Sequence, residues 1–220
     1  NEGIDFCVTP DHKMYVSMRN AGKKIWQDYC FRTAEDVYGN KNMAVKRNAG
    51  KWQGSVPSYS VAFCEWLGFW TAEGYASLNC HGGHERRKCV ITNKNDQDYV
   101  RKLFIDAEIP FGESKRKDGG VNFVVRINEQ TKPIIDMLIP LSGSGNKHVL
   151  QWLKDSPPEY IKAFIKGYLA GDGSRCNNGT IAATTASKQL ADDIQELALR
   201  AGMVVNVTKS LKRGAMVTIG

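Results

Sequence analysis

The chain has 220 residues, of which 42% are hydrophobic and 10% aromatic, enough for one large or two small domains with apolar cores. This composition excludes an intrinsically disordered protein, and no apolar run approaches the roughly 18 residues needed to span a bilayer. No basic-then-apolar signal segment opens the sequence, and the six cysteines follow no regular framework. We therefore predict a soluble, cytoplasmic protein.

The net charge of +7 and the isoelectric point near 9.1 favour a polyanionic partner. Basic residues gather in three segments that we place at hairpin tips, namely 84–88, 115–117 and 209–213. Two alternatives explain the positive charge of each segment: a hairpin tip that is simply solvated, or a hairpin tip that contacts phosphate. Zinc-ligand side chains also gather in "CHGGHERRKC", at Cys80, His81, His84 and Cys89. Their spacing matches no common zinc finger, and a basic hairpin is the favoured interpretation.

The first 56 residues alternate like strands around a turn, "VTPDH". From residue 57 the pattern changes to helices alternating with strands. We predict helices over 59–72, 97–107, about 134–138 and 148–154, with strands over 74–80, 87–94, 112–117 and 121–128.

The order then repeats. A helix over 158–170, an extended segment over 179–185, a helix over 188–201 and strands over 203–210 and 215–220 follow the earlier sequence of elements. We therefore predict three regions, namely 1–56, 57–155 and 156–220. The second copy lacks the helix that follows the last hairpin of the first copy, so we expect it to be truncated at its C-terminal end.

Each copy begins with a helix that ends on an acid followed by glycine, in "LGFWTAEGYAS" and "IKGYLAGDGS". The acids are Glu73 and Asp172, and each follows small residues five and one positions earlier. These small residues are Gly68 and Ala72 in the first copy and Gly167 and Gly171 in the second. Small residues four apart share one helix face and let two backbones approach closely. We expect the two helices to pack with their C-terminal ends side by side.

Such packing would bring two carboxylates together at helix ends whose dipoles disfavour negative charge. Crowded carboxylates repel unless they are protonated or bridged by a cation, and carboxylate oxygens suit Mg²⁺. The predicted metal site comprises Glu73 and Asp172 with the preceding residues Ala72 and Gly171. The alternative is a pair of exposed helix ends capped by glycine. The recurrence of the whole pattern favours the metal site.

The segments "WLGFWTAEG" (66–74) and "IKGYLAGDG" (165–173) resemble the paired motifs of the LAGLIDADG homing endonucleases, and the resemblance extends over 57–220. The first motif is degenerate, with Glu in place of the commoner Asp. The resemblance implies an α+β fold with two pseudo-symmetric αββαββ repeats that form a saddle. It also implies a monomer with an internal pseudo-two-fold axis, duplex DNA as partner, and Mg²⁺ or Mn²⁺ as cofactor, with Ca²⁺ as a non-cleaving substitute.

Two further segments carry the resemblance. "TTASKQLADDIQELALRAGM" (184–203) is similar to a segment of intein-embedded members, and "SGSGNKHVLQWL" (142–153) is similar to the loop that supplies an active-site lysine. The catalytic residues implied are Glu73, Asp172 and Lys147. The matching lysine of the second copy would follow Gly220.

Strands in such a fold lie along the major groove, where base edges are fully readable. The side chains that we expect to face the bases are Asn79, Asn93, Arg126 and Thr184. Loop cations would contact phosphates and set the register. These are Arg86, Arg87, Lys115, Arg116, Lys209, Lys212 and Arg213.

The N-terminal "VTPDH" resembles the Thr-x-x-His block of intein splicing (Hint) domains, which implies that Thr9 and His12 polarise the amide of the upstream splice junction. A Pro-Asp turn explains the same residues. The chain begins at Asn1 and ends "VTIG", so we expect that, as given, it does not splice.

These observations predict a site-specific endonuclease that makes a divalent-metal-dependent double-strand break at a long DNA site, the activity of intein homing. The alternative is a catalytically inactive DNA- or RNA-binding protein of the same fold, either maturase-like or a decayed intein remnant. The degenerate first motif favours the alternative, whereas the retained acids and Lys147 favour the nuclease.

Overall fold

The computed structural model describes residues 8–20, 22–46, 52–177, 179–210 and 214–219. The N-terminal region is mostly β, with three strands in the antiparallel order β2-β1-β3. Its elements are β1 (Lys13–Met18), β2 (Cys30–Thr33), α1 (Ala34–Val37) and β3 (Met43–Val45). Among the described residues, none of the helices combines the length and the apolarity that crossing a lipid bilayer requires.

The first repeat opens with a long apolar helix that is buried on most sides. This helix begins after Ser60, whose Oγ accepts a hydrogen bond from Phe63 N at 3.0 Å. The four strands that follow form an antiparallel sheet in the order β4-β5-β7-β6. The elements are α2 (Val61–Glu73), β4 (Gly74–His81), β5 (His84–Asn93), α3 (Gln97–Asp106), β6 (Phe111–Lys115), β7 (Val121–Val125) and α4 (Thr131–Leu138).

A connector then leads through a 3-10 turn (Ile139–Leu141) and the short helix α5 (Gln151–Lys154) to the second repeat. The second sheet has the order β8-β9-β11-β10, the same arrangement as in the first repeat. Its elements are α6 (Pro158–Asp172), β8 (Gly173–Arg175), β9 (Ile181–Thr185), α7 (Lys188–Arg200), β10 (Val205–Ser210) and β11 (Gly214–Ile219). The shared strand order agrees with the predicted duplication of an α+β unit.

Helices α2 and α6 cross at the centre of the core. A Cβ atom at Gly68 would lie 2.0 Å from Phe164 O, and a Cβ atom at Gly167 would lie 1.9 Å from Glu65 O. Neither position accepts a side chain, because the obstructing atoms belong to the main chain of the other helix. The crossing therefore depends on the two glycines that the sequence places five positions before the last residue of each helix.

The basic segment 84–88 lies within strand β5 and not in a loop, so its prediction as a hairpin tip is wrong. Gly82 and Gly83 form the tip with φ values of 59° and 77°, the positive values that a tight two-residue hairpin requires. Cys89, one of the four zinc-ligand candidates, is buried in the core. Among the described residues, no group of three or more His, Cys, Asp and Glu side chains is arranged to hold a metal.

Candidate active site

The structure brings the two predicted acidic residues together at the ends of α2 and α6. Glu73 and Asp172 are the last residues of these helices, and strands β4 and β8 begin at the next residue. A Cβ atom at Gly171 would lie 2.5 Å from Ala72 Cβ and 3.2 Å from Glu73 Cγ. The helix ends are therefore in direct contact, and both acidic residues remain accessible to solvent.

The acid pair has an electrostatic cost. Partial burial raises the pKa of Glu73 above its usual range, and the charge of Asp172 raises it further. Burial also raises the pKa of Asp172, although the ammonium group of Lys147 partly offsets that effect. A bound cation would relieve both effects, because it favours the ionised form of each carboxylate.

Lys147 approaches this site from the connector between the repeats. Its side chain lies under the C-terminal end of α2, where Nζ donates hydrogen bonds to Gly74 O at 2.8 Å and Trp70 O at 3.2 Å. Nζ also lies 3.8 Å from the centre of the Trp70 ring. Burial lowers the pKa of Lys147 to about 8, while the charge of Asp172 acts in the opposite direction. The ammonium therefore offers a positive charge beneath the acid pair and binds two main-chain carbonyls at the helix end, where the dipole favours a cation.

The donor set fits a hard divalent ion. Both side chains offer carboxylate oxygens, and Mg²⁺ commonly takes one or two carboxylates and completes its octahedral shell with water and phosphate oxygens. The two predicted metal positions Ala72 and Gly171 can offer only main-chain oxygens. Their small size has a different effect, since it allows the two helix ends to meet.

Each sheet has one face against the helices and one face away from them. In the first sheet Cys89, Ile91 and Phe123 are buried against the helices. Because side chains alternate along a strand, the residues between them point away. We call this surface the open face of the first sheet, with Tyr75, Ser77, Asn79, Arg86, Lys88, Thr92, Asn122 and Arg126.

Four of the predicted DNA contacts lie on open faces. Asn79 and Arg86 are direct cross-strand partners in the β4–β5 pair. Arg126 follows β7, and its Nε lies 3.7 Å from the position of a Cβ atom at Gly112. In the second sheet Thr184 is exposed and lies between the buried residues 183 and 185.

Arg87 and Asn93 lie on the opposite face, so the structure does not group them with the open-face residues. Asn93 alternates with Cys89 and Ile91, and its Oδ1 accepts a hydrogen bond from Asp96 N at 2.7 Å in the turn before α3. Arg87 donates to Asp136 Oδ1 of α4 at 2.6 Å and to a neighbouring glutamate at 2.8 Å. Its side chain is only 16% exposed. The guanidinium group is thus paired within the protein.

The remaining predicted phosphate contacts lie near the edge of the first sheet or outside the described residues. Lys115 is the last residue of β6 and is exposed, and Arg116 follows it in a turn where it pairs with Asp118 at 3.2 Å. The side chain of Lys209 and all of Lys212 and Arg213 lie outside the part of the chain that the structure describes.

Sequence reasoning missed several open-face residues. Lys88 is exposed beside Arg86, with one strand residue between them, and Thr92 Oγ1 donates to Asn122 Oδ1 at 2.8 Å across two strands. Tyr75 is 51% exposed on the same face. Alternation counted outward from Cys89 would have identified Lys88 and Thr92. Tyr75 and Asn122 lie on neighbouring strands, so their face follows only from the strand register.

Thr9 and His12 lie in an exposed turn before β1. The His12 N–H donates to Thr9 O at 3.1 Å, and a hydrogen bond with the Thr9 side chain lowers the pKa of Asp11. These contacts are those of a Pro-Asp turn, the alternative explanation of this sequence.

Comparison with known proteins shows which folds this one resembles. Residues 159–218 match the family model described as a LAGLIDADG-like domain. The crystal structure of I-DmoI in complex with DNA and Mn has a TM-score of 0.55 at 14% identity, over 73% of this chain and 89% of that chain. The complex of I-DmoI with DNA and Ca has a TM-score of 0.55 at 13% identity, over 73% and 83%. The fold is therefore similar to that of the LAGLIDADG homing endonucleases.

Two curated proteins also match. A replication factor C small subunit from Methanocaldococcus jannaschii is 25% identical over 217 residues, which are 96% of this chain and 11% of that protein. An ATP-dependent Clp protease proteolytic subunit from Chlamydomonas moewusii is 24% identical over 237 residues, 91% of this chain and 22% of that protein. The chain thus spans about a tenth and about a fifth of these two relatives.

Proposed function

We propose that this chain is a site-specific DNA endonuclease that makes a double-strand break at a long recognition site. The proposal rests mainly on one observation: Glu73 and Asp172 lie together at the ends of two packed helices, each of which leads into a sheet of the same strand order. One chain supplies both carboxylates, so we propose that it acts as a monomer. Similar folds crystallised with DNA and with Mn or Ca support this proposal.

The open faces would bind the duplex. Strand ribbons fit the major groove, where Asn79, Arg126 and Thr184 can reach base edges with donors and acceptors. Arg86 and Lys88 carry positive charges on the same face of β5, and phosphate contacts from them would set the register without reading sequence. Affinity should accordingly fall steeply with salt.

Glu73 and Asp172 would hold Mg²⁺ or Mn²⁺ at the phosphodiester. Such an ion, when bound, generates a water nucleophile at neutral pH and stabilises the leaving 3′ oxygen. The two carboxylates would hold this ion where the ends of α2 and α6 meet. Lys147 adds a positive charge from below and offsets the negative charge that develops on the phosphate.

The test is cleavage of a randomised duplex library in Mg²⁺, followed by sequencing of the cut ends. On the site so identified, Asp172→Asn should abolish cutting while binding in Ca²⁺ stays within about threefold, because the asparagine is isosteric but carries no charge for the metal. Asp106→Asn is the matched control, since Asp106 pairs with Lys102 on the outer side of α3. Loss of binding together with cutting would argue for a structural role of Asp172.

Specific binding by the wild-type chain without cutting in either Mg²⁺ or Mn²⁺ would instead support the second candidate, an inactive nucleic-acid-binding protein. The degenerate first motif, with Glu73 in place of aspartate, is the observation that favours this candidate.

We also propose that the chain is part of an intein. The two curated relatives carry different names, yet both contain a segment that matches more than nine-tenths of this chain. A segment shared by two otherwise different proteins is typical of an inserted element, and the Thr9–His12 turn lies ahead of the nuclease fold. Expression of the chain within its flanking sequence tests this proposal, with ligated flanks as the expected product. Thr9→Ala and His12→Ala should slow ligation.

A further inference from the structure

The main chain at Lys147 is held by the second repeat. Lys147 O accepts a hydrogen bond from Ser187 Oγ at 2.6 Å, and Ser187 precedes helix α7 of that repeat. Ser187 is only 2% exposed, so water does not compete for this contact. The side chain of Lys147 meanwhile reaches the end of α2 in the first repeat. Its position therefore depends on both repeats.

Ser187 makes two further hydrogen bonds in this buried place. Its Oγ accepts from Leu190 N at 3.1 Å as the N-cap of α7, and its N–H donates to Thr185 Oγ1 at 3.1 Å. Thr185 ends β9, directly after Thr184 on the open face of the second sheet. Two hydrogen bonds through Ser187 thus link Thr185, at the end of a predicted base-reading strand, to the main chain of Lys147.

A second anchor, Asp193, lies six residues after Ser187, within α7. Asp193 is 2% exposed, and its Oδ2 accepts from Val149 N at 2.8 Å. Its Oδ1 accepts from Lys154 Nζ at 2.5 Å and from Gln189 Nε2 at 2.8 Å. A buried carboxylate is tolerated only when it is paired in this way. The connector is therefore fastened to α7 on both sides of residue 148.

We propose that Ser187 is a positioning residue, which holds the main chain of Lys147 so that the ammonium group stays under the acid pair. Capping of α7 alone requires only the contact with Leu190 N, whereas the bond to Lys147 O joins the cap to the connector. This inference rests on the proposed function insofar as the lysine serves phosphodiester cleavage. The position of the lysine can be measured independently of cleavage.

The first test compares Ser187→Ala with Ser60→Ala. Both substitutions remove a serine N-cap from a 13-residue helix, but the Ser60 hydroxyl accepts its hydrogen bond from Phe63 N of its own helix and, among the described residues, forms no hydrogen bond with the connector. Each protein is treated with a trace of acetic anhydride well below its melting temperature, and acetylation is quantified by mass spectrometry. The exposed Lys166 serves as the internal reference.

We expect Lys147 to be acetylated several times faster in Ser187→Ala than in the wild type, and at the wild-type rate in Ser60→Ala. Equal protection of Lys147 in all three proteins would overturn the proposal. Faster labelling in both variants would also overturn it, since the effect would then follow from general loss of a helix cap.

The second test is single-turnover cleavage with enzyme in excess. Ser187→Ala should lower the maximal rate by about tenfold to a hundredfold, as a misplaced catalytic group does, while Kd for DNA in Ca²⁺ changes by less than about twofold. An unchanged maximal rate would refute the role in cleavage. If the wild type cuts no DNA but the acetylation result holds, the endonuclease proposal fails and the positioning of Lys147 stands.

Discussion

Replacement of Gly167 by alanine tests the central helix crossing. The new Cβ atom would lie 1.9 Å from Glu65 O and 2.9 Å from Phe69 N, both in the main chain of α2. Cβ atoms in folded proteins essentially never approach other heavy atoms below 3.0 Å. The helices would therefore have to separate locally by the difference, about 1.1 Å, since neither obstructing atom can rotate away.

The cost follows from two opposing effects. Overpacking of a well-packed core costs up to about 3 kcal/mol, and a clash between main chains belongs at this upper end. Alanine returns about 1 kcal/mol because it favours the helix over glycine. The net loss is about 2 kcal/mol, which corresponds to a fall of roughly 4–8 °C in the melting temperature of a chain of this size.

Thermal unfolding followed by circular dichroism and calorimetry measures this loss. Gly145→Ala is the control, because a Cβ atom at Gly145 would meet nothing within 4 Å. We expect the control to melt close to the wild type. A Gly167→Ala protein that melts at or above the wild-type temperature would refute the reasoning, since helices in such close contact cannot accept the extra carbon.

Three further outcomes are expected. Asp172→Asn should stabilise the metal-free protein by about 0.5 kcal/mol at neutral pH, because a negative charge leaves a helix C-terminus. The raised pKa of Asp172 means that its carboxyl group binds a proton more tightly in the folded state than in the unfolded state. The difference in melting temperature between Asp172→Asn and the wild type should therefore shrink as pH falls toward about 4, and a difference that widens would contradict this reasoning. Asp193→Ala should cost about 3 kcal/mol in urea unfolding because it removes a buried carboxylate that accepts from Val149 N and leaves the Lys154 ammonium with Glu196 as its remaining ion-pair partner, and a loss under about 1 kcal/mol would count against the anchor. Arg86→Ala should reduce the salt slope of DNA binding by about 0.9 in anisotropy titrations, whereas Arg87→Ala should leave it unchanged because Arg87 is paired with Asp136; equal slopes for both variants would oppose these assignments.

The acid pair could be predicted from the sequence because local spacing determines it. Gly68 and Gly167 each stand five residues before an acid, which fixes both the crossing face and the helix end. The helices predicted over 59–72 and 158–170 match α2 and α6 within two residues at each end. Amphipathic periodicity likewise located α3 and α7.

Strand phase was harder to predict. Arg87 and Asn93 lie on the helix-packed face because they alternate with the buried Cys89 and Ile91. Strand β5 begins at His84, three residues before its predicted start, so the basic residues of 84–88 alternate between two faces. Strand β8 was missed altogether. It has only three residues, "GSR", without the branched or aromatic side chains that mark a strand, and it exists because it pairs with β9.

The anchors of Lys147 had no local signal at all. Ser187 and Asp193 lie about forty residues from the connector that they hold, and Asp193 stands beside another aspartate in a helix with a charged outer face. Nothing in such a pattern distinguishes a buried carboxylate from a solvated one. Only the folded contacts make that distinction.

The bare main-chain contact between α2 and α6 also limits how such a protein can diversify. Because Gly68 and Gly167 each accommodate the partner's carbonyl, neither repeat can be exchanged for one that bears a side chain at the matching position. The outward sheet residues contribute little to this interlock. Recognition of new DNA targets could therefore evolve by single substitutions on the open faces of the sheets. Recombination between lineages would succeed only where both parents kept the same pair of glycines.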